Sequence, residues 1–225
     1  LEHSWLYEIP KRATRFRSFD WGSAKPFSVG WWVLSDGTCG LPKDAILRYR
    51  EWYGASEPNV GLGMVATEVA KGVKLRETKE VINYAVADPA IFIQNGGPSI
   101  AQDMSKFRCN WFKADNKRLP GWEQLRIRLK GINGVPMIYF LEDCVDTIRT
   151  LPILQHDKTN AEDLDTKQED HAADDVRYAC MSRPYYIGGD PALYKNPDST
   201  DIMSMPLNDI VTKMTNKRKA KENWE

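Results

Sequence analysis

Between residues 15 and 53 the chain repeats one pattern three times: a short run with a two-residue period, rich in aromatic side chains and closed by turn-forming residues. That period places alternate side chains on opposite faces of a strand, and a helix cannot satisfy it. Arg15-Phe16-Arg17-Ser18-Phe19-Asp20 alternates basic or polar with aromatic residues and breaks at Trp21-Gly22. Phe27-Ser28-Val29-Gly30-Trp31-Trp32-Val33-Leu34 is the second run, and Ser35-Asp36-Gly37-Thr38 turns the chain back. Ala45-Ile46-Leu47-Arg48-Tyr49-Arg50-Glu51-Trp52-Tyr53 alternates again. Short turns between such runs predict an antiparallel meander.

The period then changes. Met64, Val65, Val69, Val73 and Leu75 fall near helical spacing, and 67–80 is rich in helix formers, which predicts a helix. Val81-Ile82-Asn83-Tyr84-Ala85-Val86-Ala87-Asp88 is β-rich and stops at Pro89. Helices are predicted over 99–107 and 121–130, and a strand over 136–141. Thr166-Lys167-Gln168-Glu169 fits a capping box that would open a helix running to about Met181. A meander followed by mixed strands and helices describes an α/β fold, a mixed sheet flanked by helices. Beyond Pro184 the turn-rich Gly188-Gly189-Asp190-Pro191 and the basic Lys217-Arg218-Lys219-Ala220-Lys221 predict an irregular tail.

Charge and hydropathy exclude several classes of function. Lys+Arg and Asp+Glu both total 31, so a nucleic-acid partner would have to be met by local clusters rather than by net charge. No apolar run is long enough to span a membrane, and residues 1–5 lack the basic and apolar regions of a signal peptide. Cys39, Cys109, Cys144 and Cys180 include no C-x-x-C pair, which leaves zinc without spacing support and predicts reduced thiols. No G-x-x-x-x-G-K-[ST] motif is present.

Two predicted strands end on an acid, at Asp20 and Asp88, and the last predicted helix carries Asp170, His171, Asp174 and Asp175. In open α/β sheets the crevice beyond the strand ends is the usual ligand site. Carboxylates gathered there repel one another unless a divalent cation neutralises them, and hard cations such as Mg²⁺ take oxygen ligands. A strand-terminal Asp also serves as a turn cap. At about 100° per residue Ala172, Ala173, Val176, Ala179 and Cys180 share a face, with Asp174 nearly opposite and His171 and Tyr178 beside it. Spacing alone equally describes the solvated face of an amphipathic helix.

Glu169-Asp170-His171-Ala172-Ala173-Asp174-Asp175-Val176-Arg177-Tyr178 resembles the D-H-x-x-D-A-x-R-Y signature near the end of the large terminase subunit of tailed double-stranded DNA phages. Phe19-Asp20-Trp21-Gly22 resembles the opening of that family's nuclease domain, and Tyr84-Ala85-Val86-Ala87-Asp88-Pro89 its second acidic strand. Ala114-Asp115-Asn116-Lys117-Arg118 through Gly121-Trp122 and the Arg126/Arg128 helix resembles the segment between the second acidic strand and the signature. The resemblance runs in order from about Arg15 to Met181, and Asp175 replaces the signature's Ala.

It implies an RNase H-like nuclease domain over 15–184, with 1–14 the end of a linker from an absent ATPase domain and 185–225 a tail. It further implies a metal-dependent endonuclease that cuts concatemeric viral DNA during packaging. Asp20, Asp88 and Asp174 would hold two Mg²⁺ or Mn²⁺ ions, with His171 beside them and Asp170 the alternative third ligand. Partners would be double-stranded DNA, the portal protein and the small terminase subunit, in the host cytoplasm and outside the mature virion, with no membrane. A resolvase or transposase core on the same fold, or a non-catalytic DNA- or portal-docking module, would share much of this pattern. For DNA, Lys113, Lys117, Arg118, Arg126, Arg128 and Lys130 supply a basic cluster with Trp111, Phe112 and Trp122 interleaved. Arg126 and Arg128, two apart on a helix, cannot share a face.

Overall fold

The computed structural model describes residues 9–10, 12–38 and 40–185. Cys39, most of the expected linker and the expected tail lie outside them. The meander forms as β1 (Arg15–Asp20), β2 (Ser28–Leu34) and β3 (Ile46–Tyr53), antiparallel in sequence order. A small hairpin, β4 (Ala55–Glu57) and β5 (Val60–Gly61), follows it. Next come α1 (Ala66–Leu75), β6 (Tyr84–Ala87), a 3₁₀ turn (Pro89–Phe92), α2 (Ile100–Ser105) and β7 (Phe112–Lys113). The described chain closes with α3 (Arg118–Lys130), β8 (Ile138–Phe140), α4 (Val145–Thr150) and α5 (His171–Ser182). Six strands make one mixed sheet in the order β7-β6-β1-β2-β3-β8, with β6 parallel to β1, β7 to β6 and β8 to β3.

The two-residue period sorts the aromatic residues onto both faces. Phe19, Trp31 and Leu47 join Val69, Val73 and Met104 in a core under α1 and α2. Phe16, Trp32 and Ile46 join Trp122, Leu125, Val176 and Ala179 under α3 and α5. Because both faces are covered, the polar residues of the alternation are buried too, and each needs a partner. Arg17 pairs with Glu77, which also accepts the Trp31 Nε1–H at 2.9 Å. Among the described residues no helix is long and apolar enough to cross a membrane.

Several predicted boundaries differ for tertiary reasons. The helix expected over 67–80 ends at Leu75, and Glu77 turns into the core to meet Arg17. The expected Thr166/Glu169 capping box does not form: α5 begins at His171 with Asp170 as its N-cap. Glu169 instead accepts from Tyr53 Oη at 3.0 Å and from Arg149 at 2.8 and 2.9 Å. Helix α3 starts at Arg118 rather than 121, with Pro120 tolerated in its first turn. Helix α4 has no sequence cap; its first amides donate to Glu51 of β3, from Asp146 at 2.7 Å and Thr147 at 3.0 Å.

Candidate active site at the strand ends

Parallel pairing of β1 and β6 brings Phe19 opposite Ala87, so Asp20 and Asp88 leave the sheet side by side, and the Asp88 amide donates to the Phe19 carbonyl at 3.0 Å. Phe16, Ser18 and Asp20 share the face covered by α5. The helix sets its first residue on the first acid: His171 Nδ1 lies 3.1 Å from Asp20 Oδ2. Asp170 and Asp174 sit one turn apart, joined by the Asp174 amide donating to the Asp170 carbonyl at 2.9 Å.

Electrostatics show how close the acids are. Burial pushes the Asp20 carboxyl well above the usual carboxylate range, and the charges of Asp174, Asp88, Asp170 and Asp175 push it further. Burial, then Asp174, lift Asp170 to about 6. Burial lowers His171 despite the acids around it. The Tyr178 phenol is raised by burial and by Asp20, Asp174 and Asp88, so its ring lies among the same acids. Sequence reasoning placed Tyr178 beside Asp174 but gave it no part in the site; the 171, 174, 178 spacing was the available signal.

Two acids already have structural partners. Asp88 Oδ1 caps the 3₁₀ turn by accepting the Ala90 N–H at 3.0 Å. Asp174 Oδ1 accepts from Arg177 Nη2 at 2.9 Å, and its Oδ2 lies 3.8 Å from Arg118 Nη1. As the side chains stand, no three His, Cys, Asp or Glu groups among the described residues converge to hold an ion. The donors still suit a hard divalent cation, being carboxylate oxygens with one imidazole, and the buried Asp20 carries repulsion that a cation would relieve.

The solvated-face reading of α5 fails, since none of its residues is exposed. Asp175, the replacement for Ala, is fully buried: it pairs with Arg48 at 2.8 Å and accepts the Ser28 hydroxyl at 2.8 Å. Gly30 makes room for this, because a Cβ there would meet Trp32 Nε1 at 2.7 Å and the Arg48 guanidinium at 3.0 Å.

The expected basic cluster divides. Lys113, Lys117 and Arg126 are exposed. Arg118 donates to Asp163 at 2.8 Å. Arg128 is a correction: it is 1% exposed, and its guanidinium donates to the carbonyls of Asp44 at 3.2 Å, Met137 at 2.9 Å and Arg183 at 2.5 Å. Those bonds hold β8 and the end of α5 to α3, and they leave Arg128 closed to a phosphate.

No protein-family profile and no curated protein matches the chain. Solved structures do. The large terminase from one thermophilic bacteriophage superposes with a TM-score of 0.58 at 20% identity, covering 80% of this chain and 42% of that one. The P22 large terminase nuclease domain gives 0.53 at 13% identity, covering 81% and 90%. The large terminase nuclease from a second thermophilic phage, G20c, with bound cobalt, gives 0.50 at 11% identity, covering 77% and 84%. The chain thus spans less than half of the first of these terminases but accounts for most of the P22 and G20c nuclease structures. Its fold is the RNase H-like α/β fold of large-terminase nuclease domains.

Proposed function

We propose that this chain is a metal-dependent endonuclease that cuts concatemeric viral double-stranded DNA during genome packaging. The observation that carries the proposal is Asp20 and Asp88 side by side at the ends of parallel strands, with Asp170, His171 and Asp174 laid against them by α5. Asp20, Asp88 and either Asp174 or Asp170 would hold two Mg²⁺ or Mn²⁺ ions. What such ions supply is positive charge against the phosphate oxygens and a water of lowered pKa as nucleophile. Asp20 anchors the site from the rigid sheet, where burial keeps its orientation fixed. His171 orients Asp20 through Nδ1 and can accept or return a proton there. Tyr178 closes the inner side against bulk water.

Asp174 must turn from Arg177 and Arg118 to serve as ligand, whereas Asp170 has no such ion pair among the described residues; this favours Asp170 in the resting arrangement. DNA would meet Lys113, Lys117, Arg118 and Arg126, contacts that are insensitive to sequence and weaken with salt. In this reading residues 15–184 are the nuclease, 1–14 are the end of a linker from an ATPase domain, 185–225 are an irregular tail, the portal protein and small subunit are partners of the full-length protein, and it acts in the host cytoplasm.

Supercoiled plasmid incubated with the chain in EDTA, Mg²⁺ or Mn²⁺ tests the proposal. Nicking and linearisation are expected only with metal, and loss of at least about a hundredfold in Asp20→Ala and in Asp88→Ala. Cleavage that persists in either variant, or in EDTA, would overturn it. The structural bonds of Asp88 and Asp174 favour one second reading, a docking module whose acids only cap and pair. That module would bind DNA equally with and without metal.

A further inference from the structure

A cavity of ≈ 330 Å³ opens on the α5 side of the acids, with Asp170 and His171 in its wall. Its other walls come from the loop after β1 (Lys25), the tip of the β4–β5 hairpin (Asn59) and the segment leading into α5 (Thr166, Lys167). None of these four residues belongs to the basic cluster that the sequence singles out.

The lysines of this cavity, like Lys113 and Lys117, differ from the arginines around the acids. Arg118 and Arg177 are held by Asp163 and Asp174, Arg149 by Asp146 and Glu169, and Arg126 by Glu123. Among the described residues Lys25 and Lys167 take part in no ion pair, although carboxylates are close by. Among the described residues the Lys25 ammonium donates only to the Asn59 carbonyl, at 3.4 Å. Thr166 adds an exposed hydroxyl. Two ammonium groups and the Thr166 hydroxyl supply donors in one concavity that suit the oxygens of a phosphodiester, with the phosphate on the lysine side, away from the Asp170 carboxylate in the same wall.

We infer that this cavity is a phosphate subsite, in which Lys25 and Lys167 hold the DNA backbone next to the phosphodiester that is cut. The inference rests on the nuclease reading for its substrate. It gives the strand a fixed path on the α5 side of the acids, complementing the exposed Lys113 on the β7 side.

The test compares Lys25→Ala/Lys167→Ala with Lys43→Ala/Lys79→Ala, both in the 225-residue chain. The second pair removes the same charge from exposed positions at the other end of the sheet: Lys43 lies just before β3, and Lys79 just before β6. Affinity for a labelled DNA duplex is measured in EDTA from about 50 to 200 mM salt, beside plasmid cleavage with metal. The subsite predicts a salt-dependence slope shallower by about 1 to 2 for the first pair only, because each neutralised phosphate contributes about 0.9. It also predicts a several-fold higher KM with kcat little changed. Equal slopes in the two pairs, with wild type cleaving, would overturn the subsite and leave the nuclease standing. A slope loss confined to the first pair, with wild type inert under every metal, would sink the nuclease and leave Lys25 and Lys167 as a DNA-backbone contact with no part in cleavage. All four lysines are exposed, and matching thermal melts verify that each variant folds.

Discussion

Asp20 shows what burial does to a single carboxyl. Held at 6% exposure on a rigid strand, it meets the charges of four other acids, and its close polar neighbour is the ring of His171. Asp170 is the more tractable probe because its pKa, about 6, lies within easy titration. Its folded value stands above the ordinary carboxylate value of 3.8, so between those limits the folded chain keeps a proton that the unfolded chain has released. This contribution to stability is therefore complete below pH 3.8 and disappears as pH rises through 6. Glu80, Asp163 and Glu169 are lowered and act in the opposite sense, so the wild-type curve alone would mix the two. Subtracting an Asp170→Asn variant removes those contributions and leaves Asp170 together with the charge it places on Asp20. In chemical denaturation without divalent cation, wild type should lose on the order of 3 kcal/mol relative to the variant between about pH 4 and pH 7. A pH-independent difference would show that Asp170 is not strained by its surroundings.

Helix α5 joins the acids to the sheet, and a buried ion pair fixes its seat. Asp175 meets Arg48 across β2, Arg48 reaches Glu51 at 3.4 Å, and Glu51 caps α4. Gly121 lets α3 approach from the other side, since a Cβ there would lie 2.4 Å from the Arg177 side chain. Removing one partner of a buried pair leaves the other charge stranded and costs about 3–5 kcal/mol, whereas removing both is far milder. Asp175→Ala leaves Arg48 only its longer contact with Glu51 and is accordingly expected to lower stability by up to that amount, even though it restores the signature's Ala. Arg48→Met/Asp175→Ala should recover most of the loss, because Arg48 Nε and Nη1 and Asp175 Oδ1 already lack partners. Denaturant midpoints for the four corners of the double-mutant cycle check this, and additive losses would refute it.

With helices on both faces of the sheet, the described molecule also shields its thiols. Cys109, Cys144 and Cys180 come from three separate segments and all are buried, and burial raises them to about 11, 12 and 12. A thiolate is the reactive form, so these residues should stay unlabelled by a water-soluble disulfide reagent at neutral pH until the sheet opens. No more than one of the four cysteines should react in the native protein, and all four in denaturant. Rapid native labelling of two or more would mean that one helical layer opens independently.

The meander was the most legible part of the fold, whereas the short strands β4, β5 and β7 carried no readable period. A two-residue aromatic period is local and leaves little choice, so β1, β2 and β3 appear within a residue or so of their predicted limits. That Asp20, Asp88, Asp170 and Asp174 come near one another was legible too, through residue type and order along the chain. Other features depended on contacts distant in sequence. The same Asp-His-x-x-Asp spacing suits a solvated helix or a buried one, and only the sheet beneath α5 decided between them. Arg128 looked like a phosphate ligand until three backbone carbonyls claimed its donors. Asp175 was only a departure from the signature until Arg48 lay opposite it. Lys25 and Lys167 stand far apart in sequence, and only the folded chain brings them to one cavity. Periodicity encodes which face a residue takes because backbone geometry is local. Whether a charged residue on that face meets water, a carbonyl or an opposite charge is set by what packs against it, and that is a property of the whole fold.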